Sequence, residues 1–145
     1  MAWVLPGLMA LLTDRLVKMF LSDTEAVLIP GVIGLKPARN TGIALGLFQG
    51  NAVLIAGVSL ALAGLCFLLL RGTRVTGMGR FGLSLIAGGA LGNLWDRLML
   101  GSVRDMFEFL FVDFYVFNAA DAAVVAGVAL CAFSLFFRSR DWSKK

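Results

Sequence analysis

Nine asparagine, aspartate, glutamate and arginine residues crowd into positions 88–121: Asn93, Asp96, Arg97, Arg104, Asp105, Glu108, Asp113, Asn118 and Asp121. The stretches on either side are apolar, and charged groups in such surroundings are costly and ask for a reason. The chain has no His, which removes Ser–His and Cys–His nucleophile pairs and histidine-ligated metals. Cys66 and Cys131 sit inside apolar runs without CxxC spacing and read as small core residues. Carboxylate chemistry remains. Two aspartates a few ångström apart cannot easily both ionise, so one serves as acid and the other as base. Such a pair can turn water on a peptide carbonyl with no metal, cofactor or covalent intermediate, and proton transfer of this kind contributes about 10²–10⁴-fold to rate. Asp105 and Asp121, sixteen residues apart, are the best candidates.

Each residue also has a plainer reading. Asp121 could cap the N-terminus of a helix, where a carboxylate is favoured, while Asp105 could pair with Arg104 or Arg97. Asn93, Asp96 and Arg97 share one helical face, and the last two read as an ion pair that fixes packing. Asn118 could cap a helix or hold a substrate backbone. Glu108 and Asp113 read as solvated outward charges. Asp14 and Lys18, four apart, read as an ion pair with Lys18 snorkelling to the membrane interface.

The elements that must position these groups follow from composition. With 145 residues, 59% of them hydrophobic, a mean hydropathy of +0.89 and only 15% charged, the chain reads as a single integral membrane domain. Hydrocarbon demands internally satisfied backbone, hence helices, and the alternation of a β-barrel is absent. Spans are expected at 3–20, 51–70, 81–100 and 121–137. The first carries its charges late and no A-x-A site follows, so it is expected to be retained. The outer segment 21–50 is punctuated by Pro30, Gly31, Gly34, Pro37 and Gly42 and predicts a small strand-and-turn element at the membrane surface. The segment 102–117 is partly alternating and aromatic. Gly88 and Gly92 form a GxxxG pair suited to close helix packing, and Gly101 is a helix stop. The net charge of +4 is not a nucleic-acid stripe: it gathers in loop 71–80 and tail 138–145, which the positive-inside rule assigns, with both termini, to the cytoplasm. Asp105 and Asp121 then lie near the outer face. The expected fold class is an all-α polytopic membrane protein, four transmembrane helices with a small extracytoplasmic β/turn element.

Four runs sharpen this: Asn40-Thr41-Gly42-Ile43-Ala44-Leu45-Gly46, Gly88-Gly89-Ala90-Leu91-Gly92-Asn93-Leu94-Trp95-Asp96-Arg97, Gly101-Ser102-Val103-Arg104-Asp105 and Phe117-Asn118-Ala119-Ala120-Asp121. In order and extent they resemble the signature blocks of lipoprotein signal peptidase, the type II signal peptidase of bacteria, and Asp14 with Lys18 resembles its first block. The resemblance implies a four-helix intramembrane aspartyl protease of the bacterial inner membrane. It would act as a monomer, without cofactor, metal or nucleic acid, on diacylglyceryl-modified prolipoproteins just before the lipidated cysteine. Asp105 and Asp121 would be the catalytic dyad. Asn40, Gly42, Asn93, Arg97 and Asn118 would bind substrate or support the site, and Asp14, Lys18 and Asp96 would support the architecture. A globomycin-type inhibitor is also implied. Met106 stands where the family usually has Phe, and residues 109–117 lack its common Trp-Pro, changes that bear on the substrate wall.

The chief alternative is a small transporter or proton-relay subunit, but a relay wants ionisable groups at several depths, and here they crowd towards one side. An assembly partner built on the GxxxG helix would leave the two aspartates unexplained. Within 21–50, Asn40 is expected to hydrogen-bond the substrate's extended backbone, because a peptide leaving its helical form in lipid needs new partners.

Overall fold

A computed structural model describes residues 2–42 and 51–144. The chain runs through a 3-10 turn (Ala2–Val4), α1 (Leu5–Leu21), β1 (Ala26–Ile29), β2 (Ile33–Asn40), α2 (Ala52–Gly72), β3 (Thr73–Val75) and α3 (Gly77–Leu100). It continues through β4 (Val103–Phe109), α4 (Ala119–Phe137), a 3-10 turn (Ser139–Asp141) and β5 (Trp142–Lys144). Among the described residues, four helices thus carry a three-stranded antiparallel sheet, β1-β2-β4, beyond the C-terminal end of α3 and a β3-β5 pair at its N-terminal end.

Helix α3 is central because its glycines let neighbouring backbones come close. A Cβ on Gly88 would collide with the Gly7 backbone of α1, and one on Gly92 would lie 2.8 Å from Asp14 Oδ2. On the opposite face, a Cβ on Gly82 would lie 2.6 Å from the Gly127 carbonyl of α4. The GxxxG pair therefore faces α1, where small residues permit backbone contact. Gly7 N–H, in the first turn of α1 and without an intrahelical partner, donates to Ser84 Oγ at 2.9 Å. Cys66 and Leu70 from α2, Leu83 and Ile86 from α3 and Cys131 from α4 share one apolar cluster. Many large apolar side chains face outward, Val53 being 89% and Phe136 83% exposed, while the interior holds Asp14, Lys18, Asp96 and Asp105 beside its apolar cluster. That reverses the usual distribution of a water-soluble bundle. By length and composition two helices are able to cross a membrane, Val53–Arg71 and Ala119–Phe137, at mean hydropathies of 2.7 and 2.1. The other two do not meet that measure: α1 has 17 residues, and α3 carries Arg80, Asp96 and Arg97.

The basic segment 71–80 is not a loop. Helix α2 continues to Gly72, Thr73–Val75 form β3, and α3 begins at Gly77. The tail supplies the reason: β5 pairs antiparallel with β3, and the Asp141 carboxylate accepts from Thr76 Oγ1 at 3.2 Å and Ser134 Oγ at 2.8 Å. Thr76 N–H donates to the Asp141 carbonyl at 2.9 Å. These contacts satisfy groups at the start of α3 from a partner 65 residues away, beyond the reach of local pattern.

At the other end, Gly101 closes α3 in the left-handed region (φ 69°) with its N–H on the Arg97 carbonyl at 3.1 Å, and the chain turns into β4. Strand β4 pairs with β2 so that Asn40 faces Val103 and Ala38 faces Asp105. The register shifts between Leu35 and Ala38, where Pro37 has no N–H to give the ladder.

Candidate active site

Two connections bring Asp105 and Asp121 together. Phe117 exchanges backbone hydrogen bonds with Phe107 (2.8 and 2.9 Å) and its carbonyl also accepts from Met106 N–H at 3.1 Å. The excursion after β4 is thereby closed beside it, and Phe107, Phe109, Phe114 and Phe117 pack as one aromatic group against the returning chain. Asn118 then caps α4: its Oδ1 accepts from Asp121 N–H at 2.9 Å, and Asp121 Oδ2 accepts from Asn118 N–H at 3.2 Å. This reciprocal box satisfies two donors at the helix start. The capping reading of Asp121 is thus present in the same geometry that turns its other oxygen into the site.

All four carboxylate oxygens of the pair accept an N–H. Asp105 Oδ2 accepts from Asn40 Nδ2 at 3.0 Å and its Oδ1 from Asn118 Nδ2 at 2.6 Å. Asp121 Oδ1 accepts from Asn93 Nδ2 at 2.7 Å, and its Oδ2 takes the Asn118 backbone. Asn118 Nδ2 also reaches Asn93 Oδ1 at 3.1 Å, so three asparagines from β2, α3 and the α4 cap form one cradle. Asn40 Oδ1 in turn accepts from Gly42 N–H at 3.0 Å, and the Gly42 carbonyl accepts from Arg97 Nη2 at 3.0 Å. Asp105 is 1% exposed. Burial pushes its carboxyl up to about 6, helped by the Asp121 charge and opposed by the hydrogen bonds from Asn118 and Asn40 and by the Lys18 charge.

Asn40, expected on the substrate backbone, gives one Nδ2 hydrogen to Asp105 and accepts from Gly42 N–H. Residues 43–46 of that block lie outside the described residues. Two other readings are corrected. Lys18 does not snorkel: it is fully buried and bonds Asp14 at 3.0 Å, Asp96 at 3.3 Å and Asn93 Oδ1 at 3.1 Å. Asp96 does not pair with Arg97: its partners are Arg15 at 2.6 Å, Lys18, and Arg104 at 3.0 Å. Side chains of adjacent residues on a helix diverge, so Arg97 turns to Gly42 while Asp96 turns inward. Glu108 is half-buried and lies 3.6 Å from Lys36, whereas Asp113 is exposed.

Arg15 is the residue that sequence reasoning missed, and Arg104, read there as a possible partner of Asp105, pairs with Asp96 instead. Arg15 bridges Asp14 and Asp96 at 2.6 Å each and also bonds the Gly92 carbonyl at 3.0 Å. Arg104 holds Asp96 through its backbone N–H (3.1 Å) and guanidinium, fixing the start of β4 to α3. Asp14 Oδ1 accepts from Ala120 N–H at 3.0 Å, so the same cluster also secures the first turn of α4. The available signal was charge balance: the buried carboxylates Asp14 and Asp96 require cations at the same depth.

Residues 7–137 match the family model described as signal peptidase (SPase) II. The chain is 39% identical to the lipoprotein signal peptidase of Clostridioides difficile (strain 630), across 97% of this chain and 99% of that protein. With the lipoprotein signal peptidase of Lactobacillus johnsonii it shares 32% identity, across 94% and 93% of the two chains. Its fold is similar to a bacterial membrane enzyme structure solved by the in meso method at 2.3 Å, with a TM-score of 0.86 at 22% identity over 99% of this chain and 93% of that one. A second such structure, at 1.9 Å, gives 0.81 at 25% identity, covering 94% of each chain.

Proposed function

From the premise that this chain belongs to the signal peptidase II family, whose members named above are lipoprotein signal peptidases, we propose that it is an aspartic endopeptidase whose dyad is Asp105 and Asp121. Its substrates are prolipoproteins bearing a diacylglyceryl-modified cysteine, cut just before that residue. The observation that carries this is the cradle: a buried carboxylate, Asp105, and a half-buried one, Asp121, joined through Asn118, each oxygen held by an amide N–H, at the meeting of the helix ends and the sheet.

The reaction needs one proton shared between the two. One carboxylate takes a proton from water as its oxygen attacks the scissile carbonyl carbon, and the other, protonated, delivers its proton to the carbonyl oxygen. On collapse of the tetrahedral diol the first carboxyl gives its proton to the leaving nitrogen as the C–N bond breaks, the second carboxylate takes a proton from a diol hydroxyl as the new C=O forms, and the pair returns to its starting state. Amide donors hold both carboxylates in orientation without titrating, so the shared proton stays with the dyad. Asn40, Asn93 and Asn118 are therefore read as holding the dyad, and Arg97 with Gly42 as supporting the Asn40 turn.

All four helices are read as spans, in the cytoplasmic membrane of a bacterium. The buried charges of α1 and α3 are neutralised against each other, which lets helices with such sequences lie in lipid. Arg80, Arg138 and Arg140 lie at the opposite helix ends from the dyad, which favours cytoplasmic termini and a site near the outer face. The test is incubation of purified protein with a diacylglyceryl-modified prolipoprotein. Signal-peptide release is expected, and Asp105→Asn and Asp121→Asn should each abolish it while still inserting. Either variant retaining more than about a tenth of wild-type turnover would remove that residue from catalysis, since a general acid or base is worth about 10²-fold or more.

A further inference from the structure

The ammonium of Lys18 has three N–H donors and three acceptors: Asp14 Oδ2, Asp96 Oδ2 and Asn93 Oδ1. The two carboxylates are also held by guanidiniums, Asp14 and Asp96 by Arg15 and Asp96 again by Arg104. Ionised, the cluster holds three cations (Arg15, Lys18, Arg104) and two anions (Asp14, Asp96), so one positive charge is in surplus. The third bond of Lys18 goes to a neutral amide on the side of the dyad.

That bond decides an orientation. An amide turned by half a revolution would set Asn93 Nδ2 against an ammonium, donor against donor. The oxygen therefore faces Lys18, and Nδ2 is left to face Asp121, which it reaches at 2.7 Å. Asn118 Nδ2, another donor, meets the same Asn93 oxygen at 3.1 Å and requires the same orientation.

We propose that Lys18 is a positioning residue for peptide cleavage, acting from α1 through the Asn93 amide to hold that amide's NH2 on Asp121. This rests on the reading of Asp105 and Asp121 as the dyad. The charged groups facing the pair are Lys18 and Asp14 from α1 and Arg97 from α3, with Asp105 on β4 and Asp121 on α4 facing each other. Arg15, Asp96 and Arg104 lie behind Lys18. Removing the Lys18 charge disfavours ionisation of Asp105, so activity should need a higher pH.

The experiment uses the full chain in lipid nanodiscs. Single-turnover cleavage of a diacylglyceryl-modified peptide is followed across pH for Lys18→Met, Asn93→Ala, their double variant and Arg15→Gln. Lys18→Met should lose about ten- to hundredfold in the maximal single-turnover rate, with the half-saturating enzyme concentration little changed, and shift the acid limb upward. The double variant should be no slower than Asn93→Ala alone, because groups acting in series are non-additive. Arg15→Gln loosens the same ion cluster without touching Asn93, so it should lower thermal stability and leave the pH profile in place. A wild-type pH profile for Lys18→Met, or losses that multiply in the double variant, would overturn the inference. Where Lys18→Met does not fold, Lys18→Gln, which keeps a donor for Asn93 but no charge, decides the matter by the same acid-limb readout. Activity surviving in Asp105→Asn or Asp121→Asn would sink the dyad itself, whereas inactive aspartate variants beside an unshifted Lys18→Met profile sink the inference alone.

Discussion

Replacing Asn118 separates helix capping from active-site geometry, because its two side-chain atoms do different work. Oδ1 caps α4 by accepting from Asp121 N–H at 2.9 Å, while Nδ2 donates to Asp105 Oδ1 at 2.6 Å and Asn93 Oδ1 at 3.1 Å. Asn118→Ala loses both, and the cap alone costs about 1 kcal/mol of stability. A hydrogen bond to a charged group contributes about 1.5–3 kcal/mol, which corresponds to about 10–150-fold in rate where the transition state feels it. Asn118→Ser keeps an acceptor for the Asp121 N–H but its hydroxyl cannot replace Nδ2, so it should recover stability without recovering rate. Asn118→Asp also keeps the cap, yet sets a third carboxylate against Asp105. That should move Asp105 further above about 6 and drive the acid limb of the profile upward. The assay is single-turnover cleavage across pH beside thermal unfolding in the same detergent. A serine variant as fast as wild type, or an aspartate variant with an unmoved acid limb, would refute the reasoning.

The raised Asp105 carboxyl predicts a pH-dependent stability: its contribution is complete below about 3.8 and lost as pH rises through about 6. Asp105→Asn should therefore be more stable than wild type at pH 8, by up to about 3 kcal/mol, and not at pH 4, as read by thermal unfolding. Asn40→Ala leaves Asp105 Oδ2 without its donor and should weaken cleavage by about 1–3 kcal/mol while the protein still folds, as cleavage rate beside melting temperature will show. Gly88→Ala should destabilise by about 1–3 kcal/mol, whereas Gly64→Ala, with nothing within 4 Å of its Cβ, should be neutral or stabilising in the same melting assay. Reporters fused after Arg80 and Lys145 should read cytoplasm and one fused after Gly50 the external face; an external Arg80 signal would reverse the assignment of the site.

Much of the site can be read in the sequence, because aspartate and asparagine stand out where nearly everything else is apolar. Asp105, Asp121, Asn40, Asn93 and Asn118 all meet in one cradle, and the turn at Pro30-Gly31 does separate two strands, although Pro37 lies inside the second. What escaped shares a cause. Arg15 bonds Asp96 across 81 positions, and Asp141 bonds Thr76 across 65, so neither partnership leaves a local period. Lys18 was misread because a lysine near a helix end ordinarily reaches for water; here two carboxylates and an amide oxygen replace that water, and only the packing of α1 on α3 supplies them. The loop 71–80 looked unstructured because its strand partner comes last in the chain.

The central position of α3 also sets a timetable for biogenesis. Helix α1 leaves the ribosome carrying Asp14, Arg15 and Lys18, but the second carboxylate those cations share, Asp96, is made 75 residues after Leu21. At about 5–20 residues per second, that interval is about 4–15 s. Throughout it α1 holds an unbalanced positive charge, which favours the interface over the bilayer centre. Helix α2 has the length and hydropathy to cross a membrane by itself. If α1 spans the bilayer as proposed, only the arrival of α3 lets it settle to its final depth, and a nascent chain arrested before Asp96 should carry a first helix still reachable by water-soluble reagents.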